Sequence, residues 1–188
     1  MPRRAVPRLA ASGIPIRRIG LIGAECSGKS ALADALATDL VGCVVHEVLR
    51  QFVAEHGRPP HRDEQAGIEA AQRAAEDRVA MQCPGGLVVA DPAPLMTAIY
   101  SQAYFDDGSL LDAAVADADA YDLVVWCGID LPWVPDEGQR DGPEHRARVD
   151  SLIARVVADR LEPAGIRVVR VTGRVEHRVG QVRRAWQP

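Results

Sequence analysis

The sequence contains no asparagine, and only one of its 22 basic residues is lysine. Arginine has replaced lysine wherever arginine serves, so position 29 needs something arginine lacks. The difference is physical: an ammonium is a compact point charge on a flexible stem, whereas a guanidinium is a broad planar fork. Other absences narrow the class. No apolar run approaches a membrane span, which argues against a membrane protein. The arginines are dispersed and the net charge is -4, so no nucleic-acid footprint is expected. Cys26, Cys43, Cys83 and Cys127 show neither CxxC nor Cys/His metal spacing. They read as buried or neutral thiols in a reducing compartment, hence a cytoplasmic protein. "HEVLR" (46–50) lacks the second histidine of a zinc-protease helix.

What is present is ordinary for a soluble globular chain: 188 residues, 47% hydrophobic and 26% charged. That length suits one domain with a substantial core. Residues 1–16 are basic, carry no acid and contain Pro2, Pro7 and Pro15. They read as a flexible tail before a single domain at 17–188.

Along the domain, short apolar runs alternate with helical patterns. Strands are predicted at 18–22, 43–47, 87–91, 122–128 and 166–171. Helices are predicted at 29–40, stopped by Gly42, at about 63–82, at 94–105 and 109–118, over 149–161, and at 174–186. Ser109 is a candidate N-cap. Uniformly apolar strands alternating with helices predict an α/β fold of three layers. Its sheet is mostly parallel, about five-stranded, and covered on both faces.

The strongest motif is "GAECSGKS" at 23–30, which fits G-x-x-x-x-G-K-[ST] between a predicted strand and a predicted helix. Glycines let backbone N–H groups turn inward around phosphate oxygens, and the following helix aims its positive end at the same place. The nucleotide-binding stretch is Gly23, Ala24, Glu25, Cys26, Ser27, Gly28, Lys29, Ser30 and Ala31. Lys29 reaches the β- and γ-phosphates, and Ser30 ligates Mg²⁺. ATP and Mg²⁺ are the expected cofactors.

Without asparagine or a second lysine, the chain lacks the Asn-Lys-x-Asp guanine reader. Pro92 follows Asp91 where water-activating ATPases usually carry glutamate. A phosphotransferase acting on a bound acceptor is left. It needs a carboxylate near the metal, for which Asp91 at a strand end is the candidate. It needs an acid to orient and deprotonate the acceptor hydroxyl, for which Glu47 is the candidate, with Arg50 one turn on to hold substrate. Which of the two acids is the base stays open. It also needs a cation for charge developing on the γ-phosphoryl group. Arg140, in a turn-rich segment where a lid belongs, is the candidate, with Arg146 and Arg148 as alternatives. A nucleotide-dependent switch acting on a protein partner is the competing class.

Five segments, "GAECSGKS", "HEVLRQF", "EAAQR", "LVVADPAPLMTAIY" and "LPWVPDEGQR", follow the order and spacing of the ribosylnicotinamide kinase domain of bacterial NadR. The chain resembles that family over roughly residues 17 to 175. The resemblance implies a P-loop kinase fold, ATP with Mg²⁺, and phosphorylation of a ribosyl 5′-hydroxyl, with nicotinamide riboside the first candidate. It supports Lys29 and Ser30 at phosphate and metal, Glu47 and Arg50 at the acceptor, Asp91 near the metal, and Arg140 in the lid. The chain departs from the family where two aromatics would stack on nicotinamide: His46 and Ala74 stand there instead.

Overall fold

The structure, a computed structural model, describes residues 9–134 and 142–186. Five parallel strands form one sheet: β1 (Arg17–Ile22), β2 (Cys43–His46), β3 (Leu87–Asp91), β4 (Leu123–Cys127) and β5 (Val168–Val171). Their order is β2-β3-β1-β4-β5. The chain therefore reverses direction across the sheet beside β1, and the crevice at that reversal lies outside the carboxyl ends of the strands. The α/β class and the five strands match the sequence reading.

Seven α-helices connect the strands among the described residues: α1 (Lys29–Leu40), α2 (Val48–His56), α3 (Gln65–Gln82), α4 (Leu95–Phe105), α5 (Leu111–Asp117), α6 (Pro143–Val156) and α7 (Val175–Ala185). The two-residue period of the strands sorts the core into two faces. Ile19, Leu21, Val89, Val125 and Val171 meet Leu32 and Leu36 of α1 and Val182 of α7. On the other face, Ile22, Val124 and Trp126 meet Met96 and Ile99 of α4 and Val149 and Ile153 of α6. Each such aliphatic side chain contributes roughly 1.5–3 kcal/mol on full burial.

Helix ends depart from expectation in two places. Val41, not Gly42, is the left-handed residue that ends α1, at φ 56°. Ser109 does not cap α5: Leu110 is the N-cap, and the Ser109 N–H donates to Asp107 Oδ1 at 3.0 Å.

Three features went unread in the sequence. Cys43 and Cys83 form a disulfide with Cα atoms 5.9 Å apart, which corrects the expectation of four thiols; Cys26 and Cys127 are free. A sequence separation of 40 hides the pair, and it forms because β2 begins beside the end of α3. Within the segment read as a tail, residues 9–16 lie against the body. The Ala11 N–H donates to Met81 O at 3.0 Å, Leu9 bridges Pro15, and Ala10 is buried. Gly86 permits this approach, since a Cβ there would come within 2.7 Å of the Pro15 carbonyl oxygen. Residues 1–8 lie outside the described residues. Third, Arg18 of β1 is buried against Glu76 of α3 (3.3 Å), and the Tyr121 hydroxyl donates to the same carboxylate at 2.8 Å.

Candidate active site

The loop between β1 and α1 needs its glycines for both conformation and space. Gly23 adopts φ 153°, and a Cβ there would lie 2.7 Å from Ser27 Oγ and 2.9 Å from Cys127 O. Gly28 adopts φ 80°, and its Cβ would meet Leu131 Cδ1 at 2.8 Å. Gly28 also caps α1 without a side-chain bond, and the helical ladder begins with Leu32 N–H to Gly28 O at 3.1 Å. The N–H groups of the preceding turn have no intrahelical acceptor, an arrangement able to receive an anion.

Lys29 lies across this cradle. Its Nζ donates to the carbonyls of Gly23 (2.8 Å) and Ala24 (3.0 Å). A four-carbon stem carrying a compact ammonium can pivot from two carbonyls to a phosphate in the same concavity. A planar guanidinium needs a wider, fork-shaped seat. The lone lysine of the sequence thus stands in a turn too close for a side chain at Gly23 or Gly28.

Asp91 ends β3 and is 4% exposed. The peptide after it, Asp91–Pro92, is cis. Asp91 sits in register with His46 on β2, so Glu47 begins one residue beyond the same edge. The charges of Lys29, Arg178 and Asp91 all bear on buried Cys127, whose thiol is pushed up to about 11, chiefly by burial. Ser30 and Asp91 supply one neutral and one anionic oxygen, a donor set that fits Mg²⁺ completed by phosphate and water oxygens.

On the β2 side, Arg50 Nε donates to Glu47 Oε2 at 3.1 Å. Glu47 is mostly shielded and Arg50 mostly exposed. Buried Gln72, from the "EAAQR" segment on α3, straps this turn from behind. Its Oε1 accepts from Val48 N at 2.8 Å and its Nε2 donates to His46 O at 3.5 Å. Gln72 therefore fixes the backbone on both sides of Glu47. Half-buried Tyr100 of α4 lies between the loop and this turn. Its hydroxyl is held well above the ordinary tyrosine range by burial, then by the nearby charges of Glu25, Glu47 and Cys26. The Tyr104 hydroxyl, one turn further, reaches Glu25 Oε1 at 3.4 Å.

Arg140 lies outside the described residues. Of its two alternatives, Arg146 is the one at the cradle. It is 5% exposed, and its Nη2 donates to Cys26 O (3.3 Å) and Leu131 O (2.9 Å). Arg148 points elsewhere, to Ala103 O at 3.4 Å. His46 and Ala74 are exposed.

Sequence reasoning missed Arg178 of α7 altogether. It is 1% exposed and sits beneath the phosphate loop. Its guanidinium donates to Ser27 O, Gly173 O (2.8 Å), Gly128 O (3.3 Å) and Asp130 Oδ1 (2.8 Å). Asp130 accepts in turn from the Gly173 N–H at 2.7 Å. Burial opposes ionisation of Asp130, but the Gly173 and Asp130 N–H groups and Arg178 outweigh it and hold this carboxyl below its usual range. No periodicity or motif marks Arg178 among so many arginines.

A family model described as an AAA domain matches residues 18–178. No curated protein matches the sequence significantly. Among solved structures, the fold is similar to NadR in complex with NAD and AMP-PNP, at TM-score 0.71 and 19% identity over 90% of this chain. NadR in complex with NR aligns at TM-score 0.69 and 17% identity, again over 90% of this chain. This chain spans about half the length of those NadR chains, 49% in each case. Thymidylate kinase from Candida albicans aligns over 90% of both chains at TM-score 0.63 and 15% identity. The three-layer α/β architecture is similar to that of these proteins.

Proposed function

The chain belongs to the AAA domain family, and from that premise we propose that it is an ATP- and Mg²⁺-dependent small-molecule kinase. Its acceptor is a ribosyl hydroxyl, with nicotinamide riboside the first candidate. One observation carries the reading: the Lys29 cradle and two carboxylates, Asp91 and Glu47, stand at the same edge of three neighbouring strands. The likeness to NadR and to nucleoside and nucleotide kinases supports it.

In this mechanism the acceptor oxygen attacks the γ-phosphorus as the bond to the ADP oxygen breaks. The acceptor proton passes to a carboxylate. Glu47 is the better placed base, because Arg50 and Gln72 hold it at the rim. Lys29 leaves its two carbonyls for the phosphates. Arg146 supplies a buried cation on the loop, beside whatever Arg140 adds. Ser30 and Asp91 would hold Mg²⁺, which would supply positive charge against the phosphates.

The test is ADP formation with and without nicotinamide riboside, followed by detection of nicotinamide mononucleotide. Acceptor-dependent turnover supports the proposal. Transfer to another nucleoside or sugar alone keeps the kinase and discards this acceptor. Tight ATP binding with slow, acceptor-independent hydrolysis favours a switch acting on a protein.

A further inference from the structure

One buried side chain, Arg178, ties the phosphate loop to its neighbours. Arg178 touches three loops that follow three adjacent strands: Ser27 after β1, Gly128 and Asp130 after β4, and Gly173 after β5. The contact to Ser27 bears on phosphate directly. The Ser27 carbonyl and the Gly28 N–H belong to one trans peptide plane and point to opposite sides. Drawing the carbonyl down to Arg178 turns the Gly28 N–H up into the concavity. The contact to Asp130 keeps the guanidinium oriented, and Asp130 is itself anchored on the Gly173 N–H.

The neighbouring loop is tied down as thoroughly. Gln181 Oε1 accepts from Thr172 N at 3.0 Å, and its Nε2 donates to Thr172 O at 3.2 Å. Gly28 has no room for a side chain between Leu131 and Arg178. A planar fork suits this seat, because its Nε, Nη1 and Nη2 donate in fixed and different directions.

Resting on the kinase reading above, we infer that Arg178 is a positioning residue for the triphosphate. It presets the Ser27–Gly28 peptide for phosphate and welds the cradle to the loops after β4 and β5. It does not touch the reacting atoms, and it acts through Ser27, Asp130 and Gly173.

The test uses Arg178→Lys and Asp130→Asn in the full chain, with wild type as reference. Calorimetry measures the affinity for β,γ-imido-ATP with Mg²⁺ and, separately, for inorganic tripolyphosphate. Circular dichroism and urea midpoints establish that each variant is fully folded at the assay temperature. A lysine keeps the charge but cannot serve three loops at once, so both affinities should fall by the same factor, roughly tenfold or more. Asp130→Asn should fall in the same direction by a smaller factor, and it carries the test if Arg178→Lys does not fold. A merely structural role lowers the urea midpoint yet leaves the folded molecules' tripolyphosphate affinity unchanged. Wild-type affinity in a folded Arg178→Lys protein, or in Asp130→Asn where the first variant is unfolded, overturns the inference. Failure of the wild type itself to bind nucleotide falls on the kinase reading instead.

Discussion

Glu76 makes stability depend on pH in a direction opposite to that of most paired carboxylates. It is 1% exposed on α3, between the Tyr121 hydroxyl and Arg18. Burial raises its carboxyl from 4.5 to about 7, more than Tyr121 and Arg18 can offset, and Asp77 adds to the rise. In the unfolded chain the group ionises above 4.5, whereas in the native state it keeps its proton to about 7. Between those values the unfolded state binds fewer protons, so stability falls as pH rises. The rise from 4.5 to about 7 corresponds to about 3 kcal/mol. This contribution is fully present below pH 4.5 and gone above about 7. Glu76→Gln keeps the shape and one acceptor for Tyr121 while removing the titration. Arg18 retains Asp77 at 2.5 Å as a partner. The assay is urea unfolding of both proteins at pH 5 and pH 8 at one ionic strength. The difference in unfolding free energy, variant minus wild type, should rise by about 3 kcal/mol from the lower pH to the higher. Identical pH dependence in the two proteins would refute the argument.

Four further perturbations have defined outcomes. Lys29→Arg should fold normally yet lose most nucleotide affinity or turnover, because the fork does not fit between the Gly23 and Ala24 carbonyls; wild-type activity would sink the assignment. Glu47→Gln should leave ATP binding intact and slow transfer roughly a hundredfold, whereas loss of ATP binding in calorimetry would remove Glu47 from the acceptor side. Val41→Gly should stabilise the fold by about 1 kcal/mol in urea titration, since an exposed β-branched residue holds a left-handed conformation there; a loss of stability would contradict this. Reducing the Cys43–Cys83 bond should cost about 4 kcal/mol for a closed loop of this length, and Cys43→Ser should show the same loss without reductant.

Much of the site was legible because its chemistry is local. The phosphate loop is a contiguous segment whose glycines, lysine and serine act through their own backbone turn, so spacing alone reveals it. The strand ends were legible for a related reason: a buried parallel strand reads as an apolar run, and the polar residues that close it, His46 on β2 and Asp91 on β3, mark the carboxyl edge. Residues that act across the fold were not legible. Gln72 supports Glu47 from 25 positions away, and nothing in an alanine-rich helix signals that its amide straps another turn.

The sequence by itself determined the alternation of strands and helices and the tight glycine turn in which Lys29 is seated, because each depends on neighbours within a few residues. Only the tertiary structure decided which of many arginines matter and how. Arg178 is selected over its chemical equals by where α7 packs, since burial beneath three loops turns an ordinary cation into their common support. Arg146 is selected over Arg148 because two residues along a helix face different surroundings. The Cys43–Cys83 bond follows from the meeting of one strand's start with another helix's end. Such pairings are set by three-dimensional packing, which brings together residues that no one-dimensional period relates.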